Sequence, residues 1–525
     1  MNRTLVLVAL VFVVSVAPHA QIGRGESEPA KLAVQAKDVQ GRVANAYDRE
    51  TVLRDVGIAH GMLRGLQYAD ATTTAQFQAT GTQYIVGQAF KPGGPWPAAR
   101  LTKYNVWINY AVPGMRIDLE RGNPDGPVQG GGGLPFAQPQ RQITVVGATR
   151  AWNETMMPGG PATPAIGQEK DRAAQIWMLP QGVVKAARMA GDKLVIGMEA
   201  NKLTLTFPLP PPAASYTEKV RLDERKLVEH VEVMVDNPVL GPTKLEADYD
   251  NYKDPDLSDI PFPFHIVQKF GGLPVLDITV TNARMYNPYV VVPIPDNVEQ
   301  AYAAAAADPQ AKVEIQKAGS GVWFVTGASH NSVAVEFKDY VALVESPVGD
   351  NRAVPVFEAL RKQFPTKKVR YVINSHHHFD HAGGLRHVVI EGAIILTQRD
   401  NKPYYEKVLA FGGRKPRVEG ITDKRVLTDG TQSLELYRIQ GSNHADTMLI
   451  AYLPKDKLLV EADMWNPPAQ QNAPPLAGVA AAEPLNLRAN IDRLKLDVAQ
   501  VAPLHGRMVP IAEFRRATGQ GNTTN

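Results

Sequence analysis

One short segment, VRYVINSHHHFDHAGG at 369–384, constrains this 525-residue chain more than any other stretch. It begins as a nearly continuous apolar strand and ends in four side chains that can bind metal: His376, His378, Asp380 and His381. Because alternate residues of an extended chain project to the same side, His376 and His378 can share one ion. A helix beginning near Ala382 would turn the other two toward a second position. Since clustered imidazoles are costly to bury without a compensating cation, the segment predicts a metal site at a strand end.

Three further candidate ligands follow, each where a predicted strand or loop ends. They are His444 in GSNHADT, Asp463 in LLVEADMW and His505 in APLHGR. The chain has no cysteine, so histidine and carboxylate must supply any transition-metal site. Ligands that gather from the ends of several strands are what a site at the edge of an α/β sheet requires.

The sequence HHHFDH satisfies H-x-H-x-D-H, and with its downstream His, Asp and His it resembles the metallo-β-lactamase superfamily. The resemblance covers residues 319–525 and implies an α/β fold, an αββα sandwich with two metals at one edge. It assigns His376, His378 and His444 to the first metal. It assigns Asp380, His381 and His505 to the second metal, with Asp463 bridging the two. Histidine and carboxylate ligands suit two zinc ions, while iron and manganese also fit this set.

The resemblance implies a hydrolase in which a metal-activated hydroxide attacks an ester, thioester, lactone or amide, and Asp380 orients it or shuttles a proton. Asp463 stands where true metallo-β-lactamases carry a cysteine or a residue that does not ligate. Quorum-quenching lactonases carry a tyrosine where this chain has Asn466. Three alternatives remain open: a β-lactam hydrolase, a mononuclear iron sulfur dioxygenase and a non-catalytic binding or carrier protein.

Most histidines outside the predicted ligand set are expected to have ordinary structural roles. Strand alternation turns His377 away from the metals and into packing, and His387 is expected to be structural. His330, in a predicted hairpin turn, either faces the site or lies outside it. Three N-terminal histidines have no companions in sequence and are expected to pack or lie at the surface: His60, His230 and His265.

The N-terminal half reads as a mainly antiparallel β domain. Between Thr102 and Asn287 many segments alternate apolar and polar residues and are separated by Gly, Pro and Asn, while Arg49–Leu66 looks helical. We expect a sheet or open barrel with one or two helices. It loosely resembles the lipoprotein-carrier type of open barrel. Binding of an apolar ligand, shaping of the active-site entrance and dimerisation all remain open as its role.

The organisation of the chain follows from its composition along the sequence. Residues 5–16 are apolar apart from Ser15, which predicts a signal peptide at 1–20, a periplasmic or secreted protein and no stable membrane anchor after cleavage. A β-rich domain is expected at 21–292, a solvent-facing linker helix within 293–318 and the hydrolase domain at 319–525. A net charge of +3 argues against a nucleic-acid partner. We expect a small-molecule substrate, and a homo-oligomer is compatible with the sequence.

Overall fold

The computed structural model describes residues 48–65, 69–70, 72–155, 160–307, 312–470 and 473–520. The signal peptide predicted for residues 1–20 lies outside these ranges. Among the described residues, no helix has the length and apolar character needed to cross a membrane.

The N-terminal half is built on one large antiparallel sheet. Its thirteen strands follow the order β8-β7-β6-β5-β4-β3-β15-β14-β13-β12-β11-β10-β9, beside a separate two-stranded ribbon, β1-β2. The strands are β1 Leu63–Arg64, β2 Ala69–Asp70, β3 Thr74–Tyr84, β4 Ala98–Asn109, β5 Gly114–Gly122, β6 Gln140–Gly147, β7 Arg150–Glu154, β8 Thr163–Pro164, β9 Val195–Glu199, β10 Lys202–Pro208, β11 Thr217–Leu222, β12 Val228–Asn237, β13 Gly241–Lys253, β14 Phe262–Phe270 and β15 Leu273–Arg284.

Three helices pack within this half and a fourth follows it: α1 Arg49–Ala59, α2 Glu169–Met178, α3 Pro180–Ala190 and α4 Asp296–Ala307. Helix α2 contacts β5, β6 and β7 as well as β12, which are far apart in strand order. The sheet therefore curls around α2, and alternate side chains of the strands meet the helices in one apolar core.

The sequence predicted one or two helices for this half without placing α2 and α3. Their segment contains Pro180 and Gly182, residue types that often end helices. Pro180 instead occupies the first turn of α3, where the missing N–H costs nothing. Gly182 lies so close to α2 that a Cβ would fall 2.1 Å from the carbonyl oxygen of Ile176. Both residues therefore serve the tight packing of one helix on the other.

The C-terminal half contains two sheets that face each other. A seven-stranded sheet runs β16-β17-β18-β19-β20-β21-β22 and a six-stranded sheet runs β23-β24-β25-β26-β27-β28. Their strands are β16 Glu314–Gly319, β17 Val322–Thr326, β18 Ser332–Glu336, β19 Tyr340–Val344, β20 Lys368–Ile373, β21 Ile394–Gln398, β22 Arg417–Ile421, β23 Lys424–Thr428, β24 Ser433–Arg438, β25 Leu449–Leu453, β26 Leu458–Glu461, β27 Gln500–Pro503 and β28 Val509–Pro510. The pairs β19–β20, β20–β21, β21–β22 and β26–β27 are parallel.

Helices cover the outer face of each sheet. They are α5 Asp350–Gln363, α6 Phe379–Ala382, α7 Leu385–Glu391, α8 Lys402–Val408, α9 Ala482–Leu494 and α10 Ile511–Ala517. Strand alternation divides the apolar residues between layers, so Val333 and Val335 face the opposite sheet while Ala334 faces the helices. Leu458 and Leu459 divide in the same way in the second sheet. The result is an αββα sandwich.

The segment 293–318 contains more than the predicted linker helix. Helix α4 is present, but it does not face solvent on all sides, because Val298 is fully buried against Ile143, Val145 and Trp152. Strand β16 then begins at Glu314 and pairs with β17 in the second half of the chain. One end of the segment thus packs on the N-terminal sheet and the other joins the C-terminal sandwich.

Candidate metal centre

The seven predicted ligands converge at one edge of the αββα sandwich, where strands of both sheets end. Strand β20 ends at Ile373, just before the HHHFDH segment, and β26 and β27 end shortly before Asp463 and His505. The side chains form two groups whose ligand atoms lie within 4.8 Å of one another. The first group contains His376, His378, His444 and Asp463, and the second contains His330, Asp380, His381 and His505.

Asp463 lies between the two groups. Its Oδ2 is 3.3 Å from His376 Nε2 and 2.8 Å from His381 Nε2, and its Oδ1 is 2.9 Å from His505 Nε2. The backbone of Asp463 has φ +60°, a left-handed conformation that Asp tolerates better than most residues. Glu461 closes this turn by accepting the N–H groups of Met464 and Trp465.

Hydrogen bonds on the far side of each imidazole fix which nitrogen carries the proton. Ser375 Oγ donates to Glu345 and so accepts from His376 Nδ1, at 3.0 Å. The carbonyl of Ala89 accepts from His378 Nε2 at 3.0 Å. The opposite nitrogens are therefore unprotonated, yet His376 Nε2 lies only 2.9 Å from His378 Nδ1. Facing lone pairs at this distance repel each other, so the donor set fits a shared cation.

Glu345 supports the second group and was not predicted from the sequence. This fully buried carboxylate accepts from His381 Nδ1 at 3.2 Å and from Asn374 Nδ2 at 3.1 Å. It leaves His381 Nε2 free to face His505 Nε2 at 3.1 Å. A carboxylate behind a ligating histidine fixes its tautomer and orientation, which makes Glu345 a supporting residue of the centre.

The His444 loop is held by the second layer of helices. Glu483, in the first turn of α9, accepts from Ser442 Oγ and from Asn443 N, both at 2.8 Å. Ser442 Oγ in turn accepts the N–H of His444 at 3.0 Å. This chain of contacts places His444 Nε2 3.2 Å from His376 Nε2.

The protonation states of the groups suit a divalent cation. Burial and the neighbouring imidazoles His381 and His444 lower the pKa of His376 to about 3. Burial raises the pKa of Asp463, but the charges of His381 and His444 outweigh it and hold that pKa well below its usual range. Neutral imidazole and ionised carboxylate are the forms that bind metal.

The pKa of His381 moves the opposite way. Burial lowers it, yet the charge of Asp463 and the hydrogen bonds to Asp463 and Glu345 raise it well above the usual value. Carboxylates that favour a positive charge on this ring also favour a metal cation at its Nε2.

His330 joins the second group, which settles the choice left open by its place in the sequence. Its Nε2 is 3.4 Å from Asp380 Oδ2, and its ring centroid is 4.1 Å from that of His505. The neighbouring Asn331 ties this hairpin to the His505 loop by donating to the carbonyl of Gly506 at 2.7 Å. Only the pairing of two distant loops brings His330 here, so no local sequence pattern could reveal it.

The histidines predicted to be structural lie outside both groups. His377 accepts from Thr447 Oγ1 and donates to the carbonyl of Ala89, both at 2.8 Å. His387 packs edge-on against Phe357 and pairs with Glu391 at 3.3 Å.

The N-terminal histidines acquire companions that the sequence did not reveal. His60 is buried, and His265 lies between Asp250 and Asp277. His230 lies near Glu232 and Glu246 in a third group with metal-binding geometry. There, however, the Lys244 ammonium sits 2.7 Å from Glu232 and already supplies a positive charge.

Comparison with known proteins agrees with this architecture. Residues 325–518 match the model of the metallo-beta-lactamase superfamily. No curated protein matches the chain.

Several solved structures are similar to part of the chain. A metallo-beta-lactamase from Pontibacter korlensis is 21% identical, over 40% of this chain and 98% of that one, with a TM-score of 0.34. The mono-zinc form of the metallo-beta-lactamase FIM-1 from Pseudomonas aeruginosa is 18% identical, over 40% and 94%, with a TM-score of 0.32. Rubredoxin oxygen:oxidoreductase from Desulfovibrio gigas is 14% identical, over 39% and 61%, with a TM-score of 0.33.

The αββα sandwich and the family match identify the class of the C-terminal half. This domain belongs to the metallo-β-lactamase superfamily, and it is preceded by a large antiparallel β domain. The predicted fold class and the resemblance are both confirmed.

Proposed function

We propose that this protein is a dinuclear metal-dependent hydrolase. One observation carries the proposal: two groups of four potential ligands are joined by a single carboxylate, Asp463, which contacts histidines of both. His376, His378 and His444 would hold one ion, and Asp380, His381 and His505 the other. We propose zinc as the metal, with iron and manganese as the other ions that suit these ligands.

The residues around the centre have distinct tasks in such a reaction. When bound, a metal pair supplies a water of lowered pKa and polarises the oxygen of the substrate. Asp380 is the proposed catalytic residue, because its Oδ2 faces the second group and can orient an attacking water or hold its proton. His330 Nε2 lies 3.4 Å from the same oxygen and can pass a proton to a departing group.

The proposed substrate is a small molecule with an ester, thioester, lactone or amide bond. Asp463 provides an oxygen bridge in place of the cysteine found in some true β-lactamases, which favours these substrates over β-lactams. The β-lactam hydrolase and the iron sulfur dioxygenase remain the competing assignments for this site.

The proposal is tested by metal analysis together with a hydrolysis screen. We expect about two zinc ions per chain and turnover of at least one member of a panel of lactones, thioesters, β-lactams and phosphodiesters. The variant His378→Ala should lose the first ion and nearly all turnover, because it removes a fully buried ligand from the first group.

Another buried histidine, His387 on helix α7, provides the matched control. His387→Gln should keep both ions and full turnover, since His387 contacts Phe357 and Glu391 rather than either group. One iron per chain with oxygen consumption would favour the dioxygenase instead. If the protein binds no metal even when metal is supplied in excess, both enzyme assignments are refuted.

A second candidate function, ligand binding by the N-terminal domain, is favoured by a separate cavity. This space of about 400 Å³ lies between the curled sheet and α2, within the range of small-molecule sites. Its wall includes apolar residues such as Met115, Ile117 and Leu276, and Gln142 and Arg172 are among its polar residues. An environment-sensitive apolar dye should bind wild type, and Ile117→Asp should abolish that binding while zinc content stays unchanged. Equal binding by both proteins would contradict this role.

We also propose that the protein is exported to the periplasm or beyond the cell. The support is the apolar run at residues 5–16. Mass spectrometry of the mature protein should place its first residue near position 18 or 21, and a full-length cytoplasmic form would refute export.

A further inference from the structure

A loop of the N-terminal domain reaches the metal centre. This loop, residues 85–97, connects β3 to β4 and packs against the HHHFDH segment. Gln88 Nε2 donates to Asp380 Oδ1 at 2.9 Å, and the Ala89 carbonyl accepts from His378 Nε2 at 3.0 Å. In the other direction, the N–H of Phe379 donates to the Gly87 carbonyl at 3.2 Å. The N-terminal domain therefore touches both groups of ligands.

The orientation of the Gln88 amide is fixed by its other end. Gln88 Oε1 accepts the backbone N–H of Gly132 at 2.8 Å, and Gly131 N donates to the Gln88 carbonyl at 3.0 Å. Because a backbone N–H can only donate, the oxygen must face Gly132 and the NH₂ must face Asp380. Asp380 therefore faces the NH₂ group of Gln88, whose orientation is fixed by the hydrogen bond from Gly132.

The glycine-rich turn at 130–133 makes this close contact feasible. A Cβ on Gly131 would lie 2.1 Å from Gln88 Oε1 and 2.6 Å from His378 Cε1, so a larger residue would displace both. Gly130 N also donates to the carbonyl of Asn443, next to His444, at 2.8 Å. The turn therefore packs between the 85–97 loop and the residues around His378 and His444, and it is not free in solvent.

The two oxygens of Asp380 are consequently divided between different partners. Oδ1 is occupied by Gln88, while Oδ2 points toward His330 and His381, at 3.4 Å and 3.7 Å from their Nε2 atoms. A carboxylate held by one oxygen presents the other in a single direction. This division selects which oxygen is available to the second ion.

We propose that Gln88 is a positioning residue of the metal centre, through which the N-terminal domain sets the geometry of the second ion. The inference rests on the proposed dinuclear site and assigns the N-terminal domain a part in it. Gln88 acts through Asp380 and does not touch the reacting atoms. The loop and the 130–133 turn together form the support that holds it.

The experiment measures metal affinity in the full-length protein. Wild type, Gln88→Leu and Gln88→Glu are dialysed against buffered zinc over a range of free concentrations, and bound zinc per chain is counted. Loss of the donor should weaken binding of one of the two ions about 10–100-fold and leave the other unchanged. Gln88→Glu keeps an acceptor for Gly132, so it preserves the loop, but it places a negative charge against Asp380. It should weaken the same ion.

A second readout separates positioning from mere structure. Cobalt-substituted protein should show an altered absorption spectrum for the second ion only, while the metal-free protein keeps its thermal midpoint. Gln78→Leu is the matched control, since Gln78 lies within the sheet of the same domain, on β3 between Asn105 of β4 and Asn282 of β15. It should bind zinc and cobalt as wild type does.

The outcomes distinguish this inference from the proposed function. Two ions bound by Gln88→Leu and Gln88→Glu with wild-type affinity and wild-type spectra would overturn the inference alone. A wild type that binds two ions but hydrolyses nothing would refute the hydrolase, while the zinc affinities would still support the role of Gln88. A wild type that binds no metal would overturn both.

Discussion

At the scale of single residues, the candidate metal centre is supported by side chains outside the predicted ligand set. Glu345 is the clearest case, because it orients His381 and also binds Ser375, whose hydroxyl orients His376. One buried carboxylate therefore supports a ligand of each group. Glu345 itself has a left-handed backbone, φ +73°, which lets its side chain turn back beneath the HHHFDH segment.

The first prediction concerns this carboxylate. Glu345→Gln keeps the shape but removes the negative charge and turns one of the two acceptor oxygens into a donor. Asn374, Ser375 and His381 can then no longer all donate to this side chain, which weakens the hold on the His381 ring. We expect zinc affinity to fall about 10–100-fold, measured by titration with a competing chelator. Glu336→Gln, on strand β18 in an ion pair with Lys367, should bind zinc normally. Equal affinity in all three proteins would exclude this role.

The second prediction concerns pH and His60. This buried ring donates from Nδ1 to the Val56 carbonyl at 2.8 Å and accepts at Nε2 from the N–H of Val228 at 3.2 Å, so it is neutral when folded. Burial lowers its pKa from 6.5 to about 4. Between these values the unfolded chain binds a proton that the folded protein does not, so its contribution is complete above pH 6.5 and is lost as pH falls toward 4.

The loss should amount to about 3 kcal/mol in the free energy of unfolding. Urea unfolding of wild type and His60→Gln at pH 7.5 and 4.5 measures it, and the variant should show the smaller fall. His265→Gln is the control of opposite sign, because hydrogen bonds to Asp250 and Asp277 raise the pKa of that more exposed ring. A pH dependence identical in wild type and His60→Gln would contradict the assignment.

The sequence predicted a ligand set, which the structure brings together, but not the residues that support it. His376, His378, Asp380 and His381 lie within six residues, so their shared direction follows from local backbone geometry alone. Glu345 lies 36 positions before His381 and reads as the polar end of an ordinary apolar strand. It becomes a supporting residue only when β19 pairs with β20, which no local pattern encodes.

At the scale of elements, loops at strand ends carry the ligands and neighbouring helices hold those loops. Helix α9 contributes Glu483, which binds Ser442 and Asn443 beside His444. The helix begins at Ala482, and its first turn is the part that contacts the loop. No standard capping residue marks its start.

The third prediction tests this support. Glu483→Ala removes both acceptors of the loop, so His444 should lose its fixed position. We expect zinc affinity at one site to fall about tenfold while the unfolding midpoint changes little. Asp492→Ala, an exposed carboxylate on the same helix, should have no effect on zinc binding. Wild-type affinity in Glu483→Ala would show that the His444 loop holds its shape without α9.

Helices α2 and α3 show why the N-terminal domain was harder to predict than the sandwich. The strands of both halves alternate visibly, so their positions follow from the sequence. The segment of α2 and α3 contains Pro180 and Gly182, whose effect depends on the facing helix rather than on their neighbours in sequence. Tertiary contact, not local preference, decides that segment.

At the scale of the whole molecule, two domains with separate cores both contribute contacts to the candidate metal centre. The N-terminal core lies between the curled sheet and its helices, and the C-terminal core lies between the two sheets. We therefore expect the two domains to respond differently when metal is withdrawn.

The fourth prediction concerns the effect of metal removal on unfolding, and calorimetry with and without a chelator tests it. Metal that binds only the folded state at 1,000 times its dissociation constant stabilises by about 4 kcal/mol per site. Chelation should lower the transition of the C-terminal domain and leave the main transition of the N-terminal domain nearly unchanged. His378→Ala should respond less to chelation than wild type does. One transition that shifts as a whole would instead show that the domains unfold as a single unit.

The contact between the 85–97 loop and Asp380 also has a consequence for biosynthesis. Gln88 and Asp380 are separated by 292 positions, and a ribosome adds about 5–20 residues per second, so the loop emerges roughly 15–60 s before its partner. The last strand of the N-terminal sheet, β15, ends at Arg284, so that domain is complete only roughly 5–20 s before Asp380 is made. In that shorter interval it can fold and present a surface to the HHHFDH segment. His505 leaves the ribosome later still, so the proposed metal pair could be captured only after the last ligand has been made.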